Sequence, residues 1–248
     1  MRLFLAAAMP FYHLYPDLRK SLYTLETFFW LDGKSKEKLD NFFSTINMDN
    51  FLLDSGAYSF MNAQRGKKID FEAYLERYIR FINERGVKYF FELDLDSVIG
   101  YAKTLEMRKR LEEATGKKCI PVFHKSRGLR EWEKMCSEYD YVAIGTIYEY
   151  RRNEKVLVAM LNIAKKYNTK VHGLGFTSCK KLKFVKFYSV DSTSWTVPNK
   201  TGRIAKFNGE EIVMMDKPQG YRLKDYKLSG KASVKAWLEY QKYADKLL

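Results

Sequence analysis

Along this chain, short apolar runs alternate with longer stretches in which apolar residues recur every three or four positions. The runs at 2–6, 51–53, 88–95, 119–123, 141–144, 170–173 and 186–190 read as strands, with an eighth placed near 203–213. Helical periodicity fills the intervals at 71–84, 101–115, 129–139 and 153–167, with a shorter helix after Thr177; 233–247 reads as an amphipathic closing helix. Strands that alternate with helices imply parallel βαβ units, because two parallel neighbours need a crossover that a helix supplies. About eight such units predict an α/β fold of the (β/α)8 TIM-barrel type. No linker interrupts the pattern, so residues 1–248 read as a single domain with a basic C-terminal segment. An open doubly wound sheet is the alternative, but no GxGxxG follows the first strand.

Composition narrows the class. A chain that is 46% hydrophobic and 16% aromatic is not a disordered one. No run of about 18 apolar residues occurs, so no transmembrane helix and no membrane partner are expected. The opening MRLFLAAAMPFY has one basic residue before a short apolar run and reads as a first buried strand rather than a signal peptide. Cys119, Cys136 and Cys179 lie far apart with no CxxC or CxC pair. That predicts neither a disulfide framework nor a zinc site, and a reducing, cytoplasmic compartment. The net charge is +14, and residues 177–248 alone hold 15 Lys+Arg against 7 Asp+Glu. Such an excess fits a polyanionic partner, with a merely Lys-rich surface as the plainer explanation.

In either α/β architecture a ligand sits beyond the carboxyl ends of the strands, so the polar residues that fall there are the candidates. Asp54, Ser55, Gly56 and Tyr58 follow the second apolar run; Gly56 allows a tight turn, and a helix cap is the competing role for Asp54. In the third run, alternation puts Glu92, Asp94 and Asp96 on one face. Three carboxylates there are costly without an open mouth, a partner or a ligand. Asp94 and Asp96 are assigned to function and Glu92 to a Lys or Arg partner. His124 ends the fourth run and Gly145 the fifth. His172, Gly173 and Gly175 precede a Thr-Ser helix start suited to a phosphate or sugar nest, or simply to a capped helix. Asp191 ends the seventh, followed by three hydroxyl residues and Trp195, a setting that favours an ionised carboxylate. Two carboxylates about an anomeric carbon, one nucleophile and one acid, are the pattern of retaining glycosyl chemistry. A divalent metal held by Asp94 and Asp96 in a barrel hydrolase is a further alternative.

The motifs DSGAY (54–58), ELDLD (92–96), PVFH (121–124) through AIG (143–145), HGLG (172–175) and VDSTSW (190–195) together resemble the tRNA-guanine transglycosylase superfamily. They look most like its short phage and bacterial relatives that place 7-deazaguanine bases in DNA. The resemblance covers roughly residues 50–195, is looser outside them, and implies a (β/α)8 barrel. It also implies base exchange: an Asp attacks the sugar, guanine leaves, and a 7-substituted 7-deazaguanine captures the covalent intermediate. Carried over by motif, Asp191 is the nucleophile and Asp54 the general acid/base; Asp94 or Asp96 reads the guanine edge. Gly145 and the stretch from His172 to Gly175 line the base and sugar pocket. The co-substrate is a 7-deazaguanine of the preQ type, with no other cofactor and no zinc. Two departures stand out. The late CxCxxC of the tRNA enzymes is absent, and a Gln-Gly pair is replaced by His124-Lys125. Together with the modest chain length, these favour DNA over tRNA as partner, with companion modification enzymes supplying the base. The target nucleotide must then be flipped out or unpaired, with phosphates on the basic C-terminal quarter and Tyr58, Phe176 or Trp195 stacked on the base. A tRNA enzyme, a DNA glycosylase that lets water finish, and a non-catalytic nucleic-acid-binding barrel are the other expectations.

Overall fold

The computed structural model describes residues 1–63, 70–145, 150, 153–176, 178–216 and 226–247. Eight parallel strands form one curled sheet: β1 (Arg2–Ala6), β2 (Thr24–Thr27), β3 (Phe51–Asp54), β4 (Tyr89–Phe90), β5 (Val122–Phe123), β6 (Tyr141–Ile144), β7 (Lys170–Gly173) and β8 (Ser189–Ser192). Their order is β4-β3-β2-β1-β8-β7-β6-β5. The two edge strands are linked by a parallel bridge between Phe91 and Ile120. The arrangement is compatible with a TIM-like barrel.

Period-two alternation sorts the core into two layers. Leu3, Leu5, Phe51, Leu53, Phe90, Val142, Ile144 and Val190 pack with the surrounding helices. Phe4, Leu25, Leu52, Phe91, Ile120, Val122 and Ala143 form a second cluster on the opposite face, inside the curl. Ring contacts cross that interior: His172 of β7 meets Phe91, just beyond β4, at 5.3 Å and Phe4 of β1 at 6.0 Å. Helices Phe71–Arg85, Tyr101–Thr115, Gly128–Glu138 and Glu154–Lys166 fall within a residue or so of the stretches expected from the sequence. Gly86 and Gly116 stop the first two in left-handed conformations that a residue with a Cβ resists.

Three expectations need correction. The eighth strand of the sheet is β2, not the region near 203–213. That region forms a separate antiparallel pair, β9 (Ile204–Phe207) and β10 (Ile212–Met215). Its turn is built by Gly209 at φ +102° and by Asn208, whose side-chain oxygen accepts from the N–H groups of Glu210 and Glu211. β4 and β5 are also shorter than the apolar runs that contain them. At that seam the Glu92 carboxylate accepts the Val122 N–H at 2.6 Å, so a side chain stands where a neighbouring strand would otherwise offer a carbonyl. The Arg108 guanidinium grips the same carboxylate with two bonds of 2.7 and 3.0 Å, both groups being buried. Glu92 therefore has the basic partner expected of it, but it does not share a face with Asp94 and Asp96 in one site. Finally, the closing helix is longer than expected, Tyr226–Leu247. Its Gln241 donates to the carbonyls of Leu3 and Tyr23, and the Met1 ammonium donates to Ala244, at the end of the sheet away from the carboxylates.

Candidate functional site

Asp191 lies in β8 opposite Phe4 of β1, so its side chain enters the interior of the curl. The Gly175 N–H donates to its Oδ1 at 2.7 Å, and His172 Nε2 lies 3.2 Å from the same oxygen. Gly175 has φ +67°, the left-handed turn that aims its N–H at the carboxylate. His172 is fully buried, with Nδ1 2.7 Å from Ser189 Oγ, and Ser189 Oγ in turn meets the Tyr141 hydroxyl. With one proton on the ring, the arrangement that satisfies every member of this row has Tyr141 donating to Ser189, Ser189 to Nδ1, and Nε2–H to Asp191. One carboxylate oxygen is thus held by two donors. Oδ2 takes no hydrogen bond from the described residues.

Asp54 stands three strands away, at the end of β3, with β2 and β1 between. Thr27, its register partner on β2, donates its hydroxyl to Asp54 Oδ2 at 3.1 Å. Burial lifts the Asp54 carboxyl from the ordinary 3.8 to about 6. The negative charges of Asp191 and Asp94 act in the same sense, against the bonds from Thr27 and the Gly56 N–H. Asp191 on β8 and Asp94 beyond β4 are therefore close enough to act on Asp54. Gly56 is required on two counts: φ is +70°, and a Cβ would come within 2.6 Å of both Phe29 Cβ and Thr27 Cγ2.

Asp94 and His124 meet at the same rim, with Nε2 2.6 Å from Oδ1. Burial pulls the imidazole pKa down, but the hydrogen bond and the charge of Asp94 outweigh it and raise it above 6.5. Gly145 makes room for this ring, since a Cβ there would sit 2.7 Å from His124 Cε1.

The remaining candidates divide by burial. Asp96 opens a short helix and is gripped by Arg127 at 2.6 Å, itself stacked on Tyr101 with its guanidinium carbon 4.1 Å from the ring centre. Asp94 and Asp96 thus engage different side chains, His124 and Arg127. Among the described residues no group of three or more His, Cys, Asp or Glu is placed to hold a metal ion. Ser55 is buried, and its carbonyl accepts from Tyr74 at 2.6 Å. A Cβ on Gly173 would touch the Phe187 ring at 3.0 Å, which assigns that glycine to packing. Two expected stackers are core residues: Trp195 is fully buried with its indole N–H donating to Ala6 at 2.8 Å, and Phe176 packs on Phe187. Neither can meet a base. His172 likewise reaches a ligand only through Asp191. The side chain of Tyr58 lies outside the described residues.

Sequence reading missed Glu26, Ser189 and Tyr141. Glu26 is fully buried, accepting from Met9 N–H at 2.7 Å and Thr27 N–H at 3.1 Å. Burial raises its carboxyl to about 7 despite those bonds. The usable signal was a lone acid between strand-favouring threonines in Thr24-Leu25-Glu26-Thr27. The basic C-terminal quarter is less available than its composition suggests. Lys180, Lys183 and Arg203 pair with Glu211, Glu210 and Asp216 at 4.0, 2.6 and 2.7 Å, and Lys181 pairs with Glu154. No described helix is long and apolar enough to cross a membrane. Against models of protein families and against curated proteins the sequence finds no match.

Proposed function

We propose that this chain is a base-exchange glycosyltransferase of the tRNA-guanine transglycosylase kind, built on a (β/α)8 barrel and acting on guanine in DNA. The observation that carries the reading is the unequal treatment of two carboxylates that sense each other. Asp191 has one oxygen held by Gly175 and His172 and the other without a described donor. Asp54 is raised to about 6 and can hold or release a proton near neutrality.

Asp191 Oδ2 attacks C1′ of an extruded nucleotide, forming a sugar–carboxylate ester as the C1′–N9 bond breaks. The bond's electron pair leaves with guanine, and protonated Asp54 delivers its proton to the departing base. A 7-substituted 7-deazaguanine then enters. Its N9 attacks C1′, its proton passes to Asp54, and the ester bond breaks to return Asp191 as carboxylate. Atoms and charge balance over the two steps, and no metal or redox group takes part. Asp94, fixed by His124, is the acceptor for the N–H edge of the base. Nucleoside mass spectrometry of DNA incubated with this chain and a preQ-type base tests the proposal. Appearance of the deazanucleoside is expected; repeated turnover that releases guanine and leaves free abasic sites without the incoming base would make the chain a hydrolytic glycosylase instead.

A further inference from the structure

A second site lies on the rim beside the carboxylates, and it is basic rather than acidic. The loop after β1 and the segment after β2 enclose a cleft of about 880 Å³ lined by Met9, Arg19, Trp30, Lys34, Lys38 and Asn41, among others, with no carboxylate in its wall. Arg19, Lys34 and Lys38 are exposed and make no ion pair with a described residue. Three nearby acids are engaged elsewhere, Asp17 with Lys20 at 2.7 Å, Asp32 with Arg77 at 3.0 Å and Asp40 with Arg85 at 2.5 Å, and the exposed Glu37 beside Lys38 is not part of the cleft wall. Three cations without acids in one concavity form a field that draws a polyanion.

Trp30 adds a second feature. It is 51% exposed, whereas Trp132, Trp195 and Trp237 are between 0% and 3% exposed. An exposed indole among unpaired cations is the combination that binds single-stranded nucleic acid: the cations track phosphates and the ring stacks on a base. The wall is fixed in advance. Ala7 turns the chain at φ 59°, a conformation unfavourable for a residue with a Cβ, and buried Glu26 holds the Met9 N–H at 2.7 Å. The same elements reach the catalytic rim. Trp30 packs edge-on against Phe29 at 4.8 Å, and Phe29 abuts Gly56 beside Asp54.

We infer that this cleft holds the unpaired polynucleotide strand flanking the extruded nucleotide, with its phosphates on Arg19, Lys34 and Lys38 and a base on Trp30. The occupant's identity rests on the proposed base exchange; the electrostatic case does not.

The test is a titration of the full chain with a twelve-residue oligothymidylate, followed by tryptophan fluorescence and repeated over a salt series. Wild type should show quenching that Trp30→Leu abolishes, since the other three indoles are shielded. The combined variant Arg19→Gln/Lys34→Gln/Lys38→Gln should bind at least about tenfold more weakly, with a salt slope shallower by roughly 2, at about 0.7 per phosphate contact for single strands. Unaltered affinity and slope in that variant would overturn the proposal. So would polyglutamate binding as tightly through the same three cations, which would make the cleft an acidic-peptide site. Base exchange is scored separately on the same proteins. Quenching without exchange keeps the cleft and rejects the enzymatic reading; exchange with binding indifferent to the three cations does the reverse.

Discussion

Asp191 on β8 and Asp54 on β3 belong to strands with two others between them in the same sheet, yet their surroundings differ in kind. Asp191 receives a backbone N–H and a histidine backed by Ser189 and Tyr141, a row of donors that ends on its carboxylate. Asp54 receives a threonine hydroxyl and one backbone N–H, and it faces two other carboxylates. The first environment supplies donors to a negative charge; the second penalises one. In the proposed reaction the first is the carboxylate that attacks and the second the one that carries a proton.

Removing each half of this contrast should have unequal effects. Asp191→Asn leaves volume and most packing intact but removes the attacking oxygen, so base exchange should fall by about 10⁴-fold or more, measured as incorporation of labelled base into DNA. Asp54→Asn should cost about 10²–10⁴-fold and remove the limb of the pH–rate profile near pH 6, while attack by Asp191 remains possible. His172→Phe deletes a donor to Asp191 without opening a cavity and should cost about 10²-fold in kcat with little change in KM, the signature of a misaligned nucleophile. Ser189→Ala, one step further along the row, should cost about tenfold, near the worth of one buried hydrogen bond.

The smallest effect is on stability. Asp54 and Glu26 titrate at about 6 and about 7 in the fold, against ordinary values of 3.8 and 4.5. The folded chain therefore binds more protons than the unfolded one between those limits, and stability falls as pH rises from about 4 to about 7. His124, raised above 6.5, acts in the same sense as pH climbs through its own titration. Denaturant midpoints across pH 4–8 should show the decline, and Asp54→Asn should flatten its lower part.

The two regions also differ in how openly the sequence displays them. β3 is an apolar run that ends on Asp54, and the largely apolar stretch 186–190 leads directly into Asp191, so the place of both residues near the strand ends was legible in the sequence. The row behind Asp191 was half legible. His172 stands out, but Ser189 and Tyr141 join it through the register of β6, β7 and β8, which a single sequence does not display. β2 escaped notice because Thr24, Glu26 and Thr27 make three of its four positions polar; Glu26 is satisfied by the loop after β1, and Thr27 by Asp54. The opposite error arose at 92–96, where alternation was extended past the point at which the strand ends. Once the pairing stops at Phe91, Glu92, Asp94 and Asp96 follow separate partners, Arg108, His124 and Arg127. Trp195 misled for a related reason: composition marks an aromatic residue near a site, but only packing decides which side of the strand it fills.

The division of labour between the two aspartates is tested most directly by capturing the intermediate. Asp54→Ala protein incubated with a guanine-containing single-stranded oligonucleotide, denatured and analysed by intact mass and peptide mapping, should carry the abasic oligonucleotide on the peptide containing Asp191; the Asp54→Ala/Asp191→Asn double variant should carry none. An adduct mapped to any other residue, or one that persists in the double variant, would contradict the assignment of Asp191 as nucleophile.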